Sequence, residues 1–120
     1  MIYVGTDIIE ISRLNKFIQN YPERGLSHIF TPAEVKYCTG KRNAPQHFAG
    51  RFAGKEAVKK AILSAFPEII LPLSAISISN QENGAPFVTI DPGINIQLLS
   101  LQISISHSDT NATAVAILET

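Results

Sequence analysis

Near residue 66 the hydrophobic pattern of this 120-residue chain changes period. Before that point apolar residues recur at the 3.6-residue spacing of an amphipathic helix. After Pro72 they alternate with serine and other polar residues, the period of two that a half-buried strand requires. One type of element cannot satisfy both periods. The sequence therefore predicts an α+β fold, with helices mostly in the first half packed on an antiparallel sheet drawn mostly from the second. The length suits a single domain over residues 1–120, because two cores of ordinary size need more chain.

Local signals place the elements. Residues 1–6 read as a strand ending at Gly5. Ile11, Leu14 and Ile18 predict a helix from about Glu10 to Asn20, closed by Pro22. Thr31, Pro32 and Glu34 form a helix start: a hydroxyl cap, a proline suited to the first helical position and the acid of a capping box. Gly40 supplies the stop. The main helix is expected from about Pro45 to Ala65. Its 3.6-residue period puts Ala49, Phe52, Ala53, Glu56, Lys60 and Leu63 on one face, and turns Lys55 and Lys59 toward solvent. Ile76 and Ile78 pair with Phe87–Ile90 across the turn Asn83-Gly84-Ala85-Pro86. Asp91-Pro92-Gly93 is a second turn, and Gln102–Ser106 and Thr113–Leu118 are two further strands.

Charge and composition narrow the function. The formal net charge is zero, yet all ten lysines and arginines fall between Arg13 and Lys60, where only Glu23, Glu34 and Glu56 are acidic. A neutral chain with a basic half is suited to meet an anion locally: phosphate groups, an acidic protein or nucleic acid. No nucleic-acid motif and no basic run interleaved with aromatics accompanies the charge, so nucleic acid is not the expected partner. Hydrophobic residues make up 45% and charged ones only 17%, which leaves apolar surface on so small a domain for an oligomer to cover. No run approaches the roughly 20 apolar residues of a membrane span. The first ten residues carry no basic stretch and reach Asp7 at once, as a strand does and a signal peptide does not. The lone Cys38 excludes an internal disulfide and a cysteine zinc cluster, and suits a cytoplasmic protein with a buried thiol.

Four residues can carry chemistry. Asp7 at a strand end can present a carboxylate to a site, or serve as a first-turn acid of the helix that follows. Glu56 and Lys60 are four apart, either as a surface ion pair or as two charges on an apolar stripe that need a compensating ligand. Two carboxylates with phosphate oxygens and water suit Mg²⁺, and a nearby lysine suits a phosphate. His107 follows a Ser/Ile strand, where it can bind a phosphate, shuttle a proton or simply occupy a turn. Its flanking serines lack the glycines of a nucleophile elbow. His28 and His47 read as structural, and three scattered histidines make no zinc site.

These segments together resemble one family over nearly the whole chain: Gly5-Thr6-Asp7 with Glu10, Phe30-Thr31-Pro32-Ala33-Glu34, the run from Arg51 through Lys55, Glu56 and Lys60 to Ala61, Asn83-Gly84-Ala85-Pro86, and Ser104 to His107. The family is that of the holo-acyl-carrier-protein synthases, 4′-phosphopantetheinyl transferases. The resemblance implies that Asp7 and Glu56 hold Mg²⁺ at the coenzyme A pyrophosphate, with Lys60 beside it. It implies that His107, Arg51, Lys41 and Arg42 meet phosphates of the nucleotide, and that Asn83, Gly84 and Pro86 line the adenine side. Arg13 matches an arginine that docks the acidic acyl carrier protein. The family forms homotrimers with active sites at subunit junctions. The resemblance leaves the base open between Glu56, a metal-bound water and His107. Gly54 stands where the family usually has alanine and marks a tight approach to the helix; Thr6 replaces a more usual apolar residue. A Mg²⁺-dependent phosphohydrolase and a non-catalytic trimeric binding module are the alternatives.

Overall fold

The computed structural model describes residues 1–120. Strand β1 (Ile2–Glu10) leads into α1 (Ile11–Asn20), α2 (Arg24–Ile29), α3 (Pro32–Thr39) and the long α4 (Ala44–Ala65). Strands β2 (Ile76–Asn80), β3 (Pro86–Ile90), β4 (Ser100–His107) and β5 (Asn111–Glu119) complete the chain. The α+β prediction holds, as antiparallel sheets of order β1-β5-β4 and β2-β3.

The expected first strand is longer than its sequence suggested. It runs past Gly5 to Glu10, so Asp7 lies inside β1, opposite Ala114 of β5. Gly5 does not end the strand, because its role is steric. A Cβ there would lie 1.9 Å from the Ala57 carbonyl oxygen of α4, so only glycine lets the strand approach the helix this closely. Alanines serve the same approach elsewhere. Ala53, Ala57 and Ala61 of α4 pack with Ala114, Ala116 and Leu118 of β5 in one buried cluster. Gly54 behaves as the sequence indicated: a Cβ would sit 2.6 Å from the Ile78 side chain.

A second cluster joins Leu14, Ile29, Phe30, Cys38, Phe48 and Ala112, with the Phe30 and Phe48 rings edge-on at 5.0 Å. Cys38 is buried, as expected, and burial pushes its thiol up to about 11. The α3 start is the predicted capping box: Glu34 N–H donates to Thr31 Oγ1 at 3.3 Å and Thr31 N–H to Glu34 Oε1 at 2.8 Å.

Lys55 corrects the sequence reading. It is fully buried, not turned to solvent, and pairs with Glu34, which is 1% exposed. The Glu34 carboxylate also accepts the Ile78 N–H at 2.8 Å. One acid thus caps α3, neutralises a lysine of α4 and fixes β2. A buried ion pair is tolerable when its remaining lone pairs are filled in this way. The expected apolar stripe of α4 is also shifted: Ala53, Ala57, Val58, Ala61 and Ile62 are buried, while Glu56 is half-buried and Lys60 exposed at its border.

Candidate active site

The carboxylates predicted for a metal belong to β1 (Asp7) and to α4 (Glu56), two elements that pack against each other. Asp7 shares the inward face of β1 with Gly5, and its Oδ1 lies 3.2 Å from Lys60 Nζ. Lys60 also donates to the Thr6 carbonyl at 2.8 Å, so its partner is the strand and not Glu56 one turn earlier. Glu56 lies half-buried on α4, one helical turn before Lys60. Asp7 Oδ2 is buried and accepts no hydrogen bond. An anionic oxygen removed from water without a donor is costly. It suits a hard cation that takes oxygen ligands and keeps several waters. No group of three or more acids, histidines or cysteines gathers here. A cation here would fill its remaining positions from water and phosphate.

Apart from this junction of β1 and α4, a cavity of about 220 Å³ opens where α3, α4, the β2–β3 hairpin and the end of β4 meet. Helix α4 contributes Gln46, His47 and Arg51, and β4 contributes His107. The hairpin contributes Asn80, Gly84 and Pro86. Gly84 adopts φ +87°, in the left-handed region glycine favours. Asn83 shapes this turn without lining the cavity, by accepting the Ala85 N–H at 2.9 Å. Arg51 is 7% exposed; one guanidinium nitrogen donates to Asn80 Oδ1, while its Nε has no partner. No carboxylate lines the cavity. A buried guanidinium without an acid, beside two imidazoles, makes it a place for an anion.

His107 meets Gln46 at 2.9 Å, side-chain nitrogen to Nε2. His47 is driven toward its neutral form by burial and by the positive field of Lys41, Arg51 and His107. Reading His47 as structural therefore missed a cavity residue. Its position one helical turn before Arg51 was the available signal. Tyr37, Gln46 and Asn80 also escaped the sequence reading.

Of the predicted nucleotide residues, the structure gathers Arg51, Gly84, Pro86 and His107. Lys41 stands beside Tyr37, its Nζ 4.7 Å from the ring centroid. Arg42 is exposed and lines none of this cavity. Asp7, Glu56 and Lys60 do not line it either. Arg13 is exposed on α1, one turn before Phe17; beyond it Phe17, Tyr21, Arg24 and His28 line an open depression.

Residues 3–117 match the family model described as the 4′-phosphopantetheinyl transferase superfamily. The chain is 43% identical over 116 residues to the holo-[acyl-carrier-protein] synthase of Protochlamydia amoebophila, covering 95% of this chain and 94% of that protein. It is 41% identical over 119 residues to that of Chlamydia pneumoniae, covering 98% and 96%. Among solved structures, it resembles the Helicobacter pylori holo-[acyl-carrier-protein] synthase in complex with coenzyme A. That match has a TM-score of 0.78 at 32% identity, over 97% of this chain and 99% of that one. The Bacillus anthracis synthase, in complex with CoA (3′,5′-ADP), gives 0.75 at 28% over 98% and 96%.

Proposed function

The chain belongs to the holo-[acyl-carrier-protein] synthase family of 4′-phosphopantetheinyl transferases, and we propose that it moves the 4′-phosphopantetheine arm of coenzyme A onto a serine of apo acyl carrier protein. Adenosine 3′,5′-bisphosphate is the other product. The observation that carries the catalytic assignment is the buried Asp7 oxygen without a protein donor. Asp7 and Glu56 are the proposed Mg²⁺ ligands. When bound, the ion supplies neutralisation of pyrophosphate charge and a lowered pKa for its water.

The side chains divide the remaining work. The carrier serine oxygen attacks the β-phosphorus, and the bond from that phosphorus to the departing bisphosphate breaks. Glu56, half-buried on α4, takes the serine proton. Lys60 is held by Asp7 and Thr6 but has an exposed side chain. Its ammonium meets the charge that develops on the leaving group. Arg51 and His107 hold nucleotide phosphate, Lys41 and Arg42 add positive charge at the rim, and Asn83, Gly84 and Pro86 form the wall for the adenine. His107 keeps its place against Gln46.

Arg13, Phe17, Tyr21 and Arg24 offer both charge and apolar surface to the acidic helix of a carrier protein. Ile2, Val4, Ile8 and Ile117 expose an apolar face of the β1-β5-β4 sheet. That face supports a homotrimer with active sites completed at subunit junctions. No helix is long and apolar enough to cross a membrane, and the proposed place of work is the cytoplasm, where carrier proteins for fatty-acid synthesis are loaded.

The test incubates the protein with coenzyme A, Mg²⁺ and an apo carrier, and weighs the carrier by mass spectrometry. A gain of one phosphopantetheine is expected. Asp7→Ala and Glu56→Ala should each lower the rate by about 100-fold or more, with unchanged circular dichroism. Near-normal transfer by either variant removes the metal assignment, and phosphate release without carrier labelling replaces the transferase with a hydrolase.

A further inference from the structure

Tyr37, near the end of α3, gathers the cations of the nucleotide cavity. The Arg51 guanidinium carbon lies 4.3 Å from its ring centroid, and Lys41 Nζ lies 4.7 Å from it. The His47 ring approaches edge-on at 5.9 Å, with the two planes at 80°. Three positively charged or chargeable groups therefore share one aromatic ring. Left to themselves, like charges separate, and an exposed lysine such as Lys41 turns to water. Glu34, the acid of α3, cannot hold them, because it is committed to Lys55, Thr31 and Ile78. Arg51 also donates to Asn80 Oδ1, and the negative face of the ring is the group that holds both cations together. Unlike a carboxylate, it attracts the cations without forming a full ion pair, so their charge remains available to a ligand.

We propose that Tyr37 is a positioning residue that sets the enzyme's preference for a nucleotide bearing a ribose 3′-phosphate, by holding Arg51 and Lys41 where both meet that group. This rests on the reading of the cavity as the coenzyme's nucleotide site. Lys60, assigned to the pyrophosphate, stands nine residues beyond Arg51 on α4, about 13.5 Å along the helix axis. Within one chain the Arg51 cluster is too distant to serve the same phosphate as Lys60. The phosphomonoester of coenzyme A is the anion left for it. The contacts are made by the Tyr37 ring, so phenylalanine preserves them and an aliphatic residue does not.

Calorimetric titration of the whole protein with adenosine 3′,5′-bisphosphate and with AMP tests this directly. The wild type should bind the bisphosphate more tightly than AMP. Tyr37→Phe should stay within about twofold of it, and Tyr37→Leu should lose about tenfold for the bisphosphate while its AMP affinity changes less than about twofold. Tyr37→Met, closer in volume, takes the place of the leucine variant if thermal melting shows the latter unfolded. Equal losses for both nucleotides, no loss, or a wild type without preference for the bisphosphate each overturn the proposal. The transfer assay runs alongside: absent transfer with the bisphosphate preference intact sinks the transferase reading and leaves the role of Tyr37 standing.

Discussion

Burial pushes the imidazole of His47 toward its neutral form, and Lys41, Arg51 and His107 push it the same way. Its affinity for a proton in the folded chain is thus below the ordinary value of 6.5. Below that pH the unfolded chain binds more protons at this position, so its contribution to stability falls as pH falls through about 6.5. A phosphate among the same cations reverses the field and draws a proton in. Titrating adenosine 3′,5′-bisphosphate at pH 6.5 in buffers of different ionisation enthalpy should show more proton uptake, or less release, in the wild type than in His47→Gln, because the protons of the ligand's phosphates, whose second pKa is about 6, count in both. A proton balance unchanged by that substitution contradicts the assignment. The chemistry-bearing residues were partly legible. The phase of α4 pointed to Glu56 and Lys60, and motif order to Asp7 and His107. Lys55 was misread because periodicity registers only a residue's own helix. Its burial depends on Glu34, 21 positions away on another element.

Helix α3 shows the same limit at the next scale. Thr31, Pro32 and Glu34 announced its start, because capping is a contact within one turn of chain. That Glu34 also ties α4 and β2 together is a long-range fact without a local signature. Helix α2 went unseen because its six residues have no side-chain cap. Strand β1 was cut short because Gly5 reads locally as a breaker, whereas pairing with β5 carries the strand on to Glu10. Glu34→Ala leaves the Lys55 ammonium buried and unpaired, and should cost about 3–5 kcal/mol in urea unfolding. The double variant Glu34→Ala with Lys55→Met should cost less than the single one, since no buried charge remains. A single variant that loses under about 1 kcal/mol would show the pair to be solvated.

For the whole molecule, the apolar content noted in the sequence has a location. Ile8 is 69% exposed and Val4 56%, on the sheet face opposite α4. Light scattering should give a mass of three chains. Val4→Glu with Ile8→Glu should yield folded monomers whose transfer rate drops by about 100-fold, since a single chain separates the Asp7 junction from the Arg51 cavity. A wild type that is monomeric and fully active excludes the trimer.

The β1-β5-β4 order carries one more consequence, for the route by which the chain folds. The strand at the middle of the sheet follows all the others in sequence, and it pairs with the first. Thr113 and Asp7, 106 residues apart, share a hydrogen bond. Closing so long a loop is entropically costly and makes folding slow relative to the local helices. Helices α1 to α4 and the β2–β3 hairpin can organise early from nearby contacts. Because β1 has no strand partner other than β5, the register of the strand that presents Asp7 to Lys60 hangs on this one long-range pairing.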